Sequence, residues 1–409
     1  MSEAFDVLIV GGGPVGACLG ALLAGTAASG ARQMRIAVLE PHPAIPVPAD
    51  APLDPRVSAL SRASERVLTH AGAWGRMAPK RCMPYERMRI WHESLPASSP
   101  DVLTFDAADV GEPNLGYIVE NRLVQAAATG AFEQAGGHLL ATELQGARVR
   151  EADVQVETAA GVLSTRLLIG ADGAHSAVRS AVGLTAESKS YRQSGIVARV
   201  ATARSHERTA WQRFLGDGTL AFLPLADGTS SIVWSADEAV AGTLLAMPAD
   251  EFQRELAAHL DHALGAVQLL SERASFALQR LLAPRYTTAR CALVGDAAHV
   301  VHPLAGQGVN LGLLDAAALA ERLLEAWRLG EDPGALRALR GYERWRKSEI
   351  ALMALAIDGF DRFLSHGDGP ISQLARRGLA WVNAAPQVKR FFIARALGLA
   401  GELPRTAVS

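Results

Sequence analysis

Residues 6–25 read DVLIVGGGPVGACLGALLAG, and three features in them fix the start of the fold. Asp6 to Val10 is a short, continuously apolar run, the signature of a strand buried on both faces. It stops at Gly11, and an Ala/Leu/Gly-rich stretch from Pro14 to about Ala28 follows as a helix, with proline where a first helical turn tolerates it. Between them Gly11, Gly13 and Gly16 stand in G-x-G-x-x-G spacing. The first glycine permits the tight turn, the second lets backbone approach a pyrophosphate, and the third lets helix and strand pack closely. Phosphates would meet the free N–H groups and positive end of the helix. A second strand, Ile36 to Glu40, completes a β-α-β unit. Its terminal acid, Glu40, is placed to accept hydrogen bonds from a ribose, which favours an adenosine with a free 2′-hydroxyl, as in FAD or NAD, over NADP.

The whole chain is consistent with such a start. At 409 residues it exceeds the size at which one hydrophobic core stops growing, so two tightly joined domains are expected. A formal net charge of −2 gives no general attraction to nucleic acid. Cys18, Cys82 and Cys291 lie far apart without CxxC spacing, which argues against a disulfide framework, a zinc knuckle or a disulfide-exchange pair and fits a reducing cytoplasm. The N-terminal apolar run lacks a basic flank and reads as a strand rather than a signal peptide. No apolar stretch is long enough to span a membrane.

Outward from the first unit, residues 41–55 (PHPAIPVPADAPLDP) are too proline-rich for regular structure. Helical patterns run from about Ser61 to Ala73 and from Glu120 to Gly136, with strand-like alternation between Met88 and Phe105 and again near Thr142 to Glu157. Leu167 to Ile169 reads as another buried strand. Strand-like segments dominate from about Ser188 to Ser235 and predict a separate sheet layer. Residues 249–270 read as helical, Cys291 to Val294 as one more buried strand, Leu311 to about Leu329 as a long helix, and Pro333 to Ala400 as mostly helical. The fold class is therefore α/β, with a Rossmann-like dinucleotide domain, a largely antiparallel sheet layer and a helical C-terminal region.

Two further stretches separate FAD from NAD. Residues 170–179 read GADGAHSAVR, and residues 295–312 read GDAAHVVHPLAGQGVNLG. Together with the glycine loop they resemble the long-range signatures of the class A flavoprotein monooxygenases, the family of para-hydroxybenzoate hydroxylase. Within it, HPLAGQGVNLGLLDA (302–316), DPRVSAL (54–60), ENRLVQ (120–125), Tyr191 to Gln193 and FLPL (222–225) are similar to the ubiquinone-biosynthesis hydroxylases. The resemblance covers about residues 4–360.

That resemblance implies roles for particular residues. Asp296, next to Gly295, would hydrogen-bond a ribityl hydroxyl of FAD. Backbone of Pro303, Gly306, Gln307, Gly308, Val309 and Asn310 would lie along the flavin's pyrimidine side, a helix start aiming N–H groups at N1 and O2 where negative charge gathers. Asp172 would lie near the cofactor pyrophosphate or the NAD(P)H approach, Arg56 near the flavin, and Asn121 or Gln125 near phosphate or ribityl. Asn121 and Gln125 read equally as ordinary loop or helix residues, Arg56 reads more readily as a functional residue than as a loop residue, and Arg179 reads equally as a brace of the fold. His299 and His302 would suit a metal only on a helix, which Pro303 opposes, so no metal is expected. His302 reads as a pocket wall or hydrogen-bond partner, and no side chain can be named as the catalytic acid or base.

The implied reaction is hydroxylation of the aromatic ring of a polyprenylated phenol on the way to ubiquinone. NAD(P)H reduces FAD, O2 adds at C4a, and the resulting hydroperoxide delivers an electrophilic oxygen, while the protein supplies position and exclusion of water. The implied division of the chain is an FAD-binding domain of residues 1–87, 111–185 and 281–330, a substrate-binding sheet domain of 88–110 and 186–280, and a C-terminal helical region of 331–409. A flavin oxidase, a prenyl-chain reductase and a non-catalytic flavoprotein scaffold in a quinone-biosynthesis complex are the alternatives. The tail interleaves Arg376, Arg377, Lys389, Arg390 and Arg395 with Leu374, Leu379, Trp381, Phe391, Phe392 and Leu397, either as a basic amphipathic helix at an anionic inner-membrane surface or as a solvated helix packed on the FAD domain.

Overall fold

A computed structural model of the chain describes residues 3–25, 33–301, 306–360, 383 and 385–408. The chain opens with β1 (Glu3–Val10), α1 (Pro14–Ala24), β2 (Ile36–Leu39), β3 (Val57–Leu60) and α2 (Arg62–His70). Then come β4 (Met83–Tyr85), β5 (Arg87–His92), β6 (Leu103–Asp106), β7 (Gly116–Glu120), α3 (Asn121–Gln134), β8 (His138–Leu140), β9 (Leu144–Val149), β10 (Val154–Thr158), β11 (Gly161–Gly170) and α4 (Ala177–Ala181). The middle of the chain gives β12 (Glu187–Thr202), β13 (Thr209–Leu215), β14 (Gly218–Pro224), β15 (Ser230–Asp237), α5 (Glu238–Ala246), α6 (Ala249–His259), β16 (Val267–Leu269) and β17 (Ala274–Leu282). It closes with β18 (Thr287–Thr288), β19 (Cys291–Leu293), β20 (His299–Val300), α7 (Gly308–Arg328), α8 (Leu336–Phe360) and α9 (Pro386–Ala396).

One sheet has the order β18-β19-β11-β1-β2-β8, with β9 and β10 hairpinned onto β11. Its core strands β19, β11, β1, β2 and β8 all run parallel. Covered by helices, these strands are buried on both faces: Val7, Leu8 and Ile9 have no exposed surface, which is why their sequences read as unbroken apolar runs. The second large sheet, β20-β17-β12-β15-β14-β13-β5-β6, is antiparallel apart from the β5–β13 pair. Its own core holds Trp91, Phe222 and Trp234. A small sheet, β3-β7-β4, follows the Pro-rich region in the chain.

One element departs from its sequence reading. The helix expected over 249–270 ends at His259, because Asp261 and His262 adopt left-handed backbone (φ 56° and 50°), and Val267–Leu269 pairs with β12 instead. Asp and His are among the non-glycine residues that tolerate that conformation, and the turn brings the remaining apolar residues back to a sheet edge. The long helix starts at Gly308, three residues before the expected start.

Candidate active site

At the first glycine loop, packing explains the spacing. Gly11 has φ 101°, and a Cβ there would lie 2.4 Å from the carbonyl oxygen of Ala171; at Gly16 it would lie 2.0 Å from that of Gly11. Gly13 is different, since an added Cβ would meet nothing within 4 Å, so the backbone there stands open to a ligand. The N-terminus of α1 carries no side-chain cap, leaving its donors free. The loop is held from both sides: Gly12 N donates to Glu40 Oε2 at 2.8 Å, and Gln125 Nε2 donates to the Gly12 carbonyl at 3.1 Å. Glu40 Oε1 also accepts from His42 N, which leaves the carboxylate further lone pairs for a diol.

The second loop, after β19, faces the same region. Val15 of α1 links the two: a Cβ at Gly312 would lie 2.5 Å from its Cγ2, and one at Gly295 would lie 3.4 Å from both its methyls. Helices α1 and α7 can therefore cross with little between them. Gly306 has φ 59°, Gln307 provides no side-chain cap to α7, and Gly308 again has nothing within 4 Å of a Cβ. Asp296 keeps solvent access and makes no hydrogen bond among the described residues. The protein crowded around it pushes its carboxyl above the ordinary value by desolvation; His299 opposes this shift and Asp315 adds to it. His302 and Pro303 lie outside the described residues.

Three buried polar hubs fix these loops. Asn310 turns its side chain into the protein, accepting from Ser61 N at 2.9 Å and Ser64 Oγ at 2.7 Å and donating to the Ala59 carbonyl at 2.8 Å; only its backbone is left for a ligand. Asp315, fully buried, accepts from Gly295 N at 3.0 Å, pairs with His299 Nε2 at 2.5 Å and accepts from Arg346 Nε at 2.7 Å. Burial alone would raise its carboxyl, but His299 and Arg346 hold it below the ordinary range. Glu120, 1% exposed, accepts from Arg81, Arg122 and the backbone N–H of Asp54. Arg81 also donates to the Ala51 carbonyl, so the Pro-rich loop is tied down from within.

Arg56 leaves that loop exposed, beside Asp54 at 3.5 Å, with its carbonyl accepting from Asn121 N. The Asn121 side chain accepts from Ser58 Oγ at 2.6 Å. Asp172 Oδ2 accepts from Val178 N at the start of α4, while its Oδ1 is buried without a partner among the described residues. Arg179 donates to the carbonyls of Ala297 and Ala174, so it braces the 170s segment against the Asp296 turn. Thus Gly11, Gly13, Gly16, Glu40 and Gln125 gather at one loop, Gly295, Asp296, Gly306, Gln307, Gly308, Val309 and Asn310 at the other, with Arg56 and Asn121 on a third segment. Asp315, Arg346, Glu120 and Arg81 were not singled out from sequence. The available signal was a lone acid inside the apolar run LGLLDAAALA.

A profile described as "FAD binding domain" matches residues 4–348. The ubiquinone hydroxylase UbiL of Rhodospirillum rubrum is 38% identical over 98% of this chain and 92% of its own length. The 3-demethoxyubiquinol 3-hydroxylase of Escherichia coli is 36% identical over 96% of this chain and 98% of its own. The chain belongs to the FAD-dependent aromatic monooxygenases. As a member of that family it shares its fold with p-nitrophenol 4-monooxygenase PnpA of Pseudomonas putida, with a TM-score of 0.77 at 19% identity over 98% of this chain and 100% of that one. The residues present fit FAD. Two uncapped helix starts with bare glycines suit anionic phosphates and the electron-rich edge of a flavin, and the unpartnered carboxylate of Asp296 suits a polyol between them.

Proposed function

We propose that this flavoprotein hydroxylates the aromatic ring of a polyprenylated phenol intermediate of ubiquinone biosynthesis. One atom of O2 enters the ring, the other leaves as water, and NAD(P)H supplies two electrons. The observation that carries this reading is end-to-end similarity to two hydroxylases of ubiquinone intermediates, supported by two uncapped helix starts whose loops meet across Val15. FAD, when bound, supplies the redox and oxygen chemistry. On this reading Gly13 and the start of α1 hold the pyrophosphate, Glu40 the adenosine ribose, Asp296 a ribityl hydroxyl, and the start of α7 the pyrimidine edge. Arg56, Asn121, Gln125 and Asp172 complete the cofactor's surroundings. The antiparallel sheet forms the substrate side: Ile90, Phe105 and Phe214 cluster there with Val301 and Leu311, an apolar wall beside the start of α7 that excludes water.

A prenylated phenol partitions into lipid, so the same reading includes a peripheral contact with an anionic membrane surface, at a site where a quinone-biosynthesis complex would also assemble. No helix among the described residues is long and apolar enough to cross a membrane. Among its described residues the basic tail is mostly engaged with the protein, since Lys389 pairs with Asp109 and Arg395 with Glu349 and Ile393 and Leu397 are buried, although Arg390 and Phe391 are exposed; Leu374, Arg376, Arg377, Leu379 and Trp381 lie outside the described residues. A cleft of about 710 Å³ between α8 and the Pro284–Arg285 turn suits that contact better. Arg285, Arg337, Arg340 and Arg344 line it without ion-pair partners among the described residues. Arg337 and Arg340 also sit at the positive end of α8, an arrangement that an anion relieves.

One experiment tests both parts. A short-chain prenylated phenol is supplied with NAD(P)H and ¹⁸O2, in vesicles of phosphatidylglycerol or of phosphatidylcholine. The expected result is a product carrying one ¹⁸O, formed faster from the anionic vesicles. Hydrogen peroxide formed in proportion to NAD(P)H, with no oxygenated product, overturns the hydroxylase reading; equal rates from the two vesicle types overturn only the membrane contact.

A further inference from the structure

The buried Arg346–Asp315–His299 array that fixes the second loop is not among the residues read as touching the cofactor. Arg346 and Asp315 are 2% and 0% exposed, in an interior where an unpaired charge would be costly. The carboxylate is shared three ways. Oδ1 takes Arg346 Nε from α8, and Oδ2 takes both His299 Nε2 from β20 and the backbone N–H of Gly295. Since Asp315 is held ionised, Nε2 of His299 must carry the hydrogen, which fixes the ring's tautomer and plane. Gly295 has φ 58° and immediately precedes Asp296. A single carboxylate on α7 therefore sets the turn that presents Asp296, and Arg346 on α8, 31 residues later in the chain, holds that carboxylate in place.

We propose that Arg346 is a positioning residue for the cofactor: through Asp315 it fixes the Gly295–Asp296 turn and His299, so that the Asp296 carboxylate meets the flavin's polyol in one geometry. The inference rests on the reading of Asp296 as the ribityl contact. Two observations separate it from a role in stability alone. The contact lands on the backbone N–H next to the functional acid rather than on a remote strand. A neighbouring polar contact from the same helix, Tyr342 Oη donating to the Leu293 carbonyl at 2.8 Å, holds the same region without touching the turn, and serves as an internal control.

The test is the dissociation constant of FAD from refilled apoprotein, beside the melting temperature of the apoprotein, for R346Q, R346K, Y342F and D296A. R346Q is expected to weaken FAD tenfold or more. R346K, which keeps a cation against Asp315, is expected to stay within threefold of wild type. Y342F is expected to melt lower with unchanged FAD affinity. If R346Q and Y342F both weaken FAD in step with their loss of melting temperature, or if R346Q binds FAD as wild type does, the positioning role is wrong. Should R346Q not fold, H299Q, which spares the Arg346–Asp315 pair, carries the test: weakening of threefold or more supports the proposal and unchanged affinity overturns it. D296A keeps the two readings apart. If D296A binds FAD normally, the ribityl assignment fails; if D296A weakens FAD while the R346Q and H299Q variants do not, only the positioning role fails.

Discussion

The two glycine loops that meet across Val15 do comparable work with different means. At the first, nearly everything needed lies within about thirty residues: Gly11, Gly13 and Gly16 shape the turn, and Glu40 anchors Gly12. The groups offered to a ligand there are mainly backbone N–H groups, so the function resides in where side chains are absent. At the second, a side chain, Asp296, makes the offer, and the loop is held by contacts reaching far along the chain. Asn310 bonds to residues 246 to 251 positions away, and Asp315 to Arg346 on another helix. A backbone site can be mostly local because glycine geometry supplies most of its definition. A side-chain site in a strained turn needs a surrounding polar frame, and in a buried place every member of that frame must be satisfied.

The largest effect that would break this comparison is at the local end. Gly16→Ala sets a Cβ 2.0 Å from a carbonyl oxygen of the chain itself, where nothing flexible can yield. A loss of about 3 kcal/mol, the upper end for overpacking, is expected in urea denaturation of the apoprotein, together with poor FAD retention. A Gly16→Ala protein as stable as wild type and still yellow would mean that the loop tolerates the relaxation the packing forbids.

A smaller effect sharpens the other end through its pH dependence. Asp315 has its folded pKa lowered from 3.8, so its contribution to stability is present above that value and is lost as pH falls through the still lower folded value. Asp296 has its folded pKa raised from 3.8, so in FAD-free protein its contribution is present below that value and is lost as pH rises through the folded one. Below about pH 4, D315N should therefore lose stability with acid less steeply than wild type, by at most about 1.4 kcal/mol per pH unit. Above pH 3.8, up to the raised folded value of Asp296, D296N should lose stability more steeply as acid is added, because the protonation that favours the folded state there is gone. Chemical denaturation of the apoproteins between pH 3 and 6 reads both slopes, and slopes that change in the same sense would contradict the two environments described.

The same contrast explains what the sequence made legible. The β-α-β unit, Glu40 and the buried strands could be read because each is specified by neighbours in the chain: continuous apolar runs, glycine spacing, an acid at a strand end. The antiparallel layer was legible as a class through its succession of strand-like segments. Its β5–β13 parallel pairing was not, since pairing partners distant in sequence leave no local trace. The frame of the second loop was hidden for the same reason. Arg346 sits in a helix of many charged residues, and nothing in YERWRKSE distinguishes the one arginine that turns inward. Arg179 could be read as a brace or as a functional residue, and only the carbonyls of Ala174 and Ala297 in front of it decide for the brace. Residues 249–270 misled because their apolar spacing continues past a turn that Asp261 and His262 make in left-handed backbone.

The most direct measurement compares FAD with ADP as ligands of the Asp296→Ala apoprotein by calorimetric titration. On the proposed assignment ADP would reach only the backbone-built loop and Glu40, and FAD both loops. ADP affinity should be unchanged, while FAD affinity falls by about 1.5–3 kcal/mol, the worth of a hydrogen bond to a charged group. Unchanged FAD affinity, or an equal loss for both ligands, would contradict the division of the site into a local backbone end and a framed side-chain end.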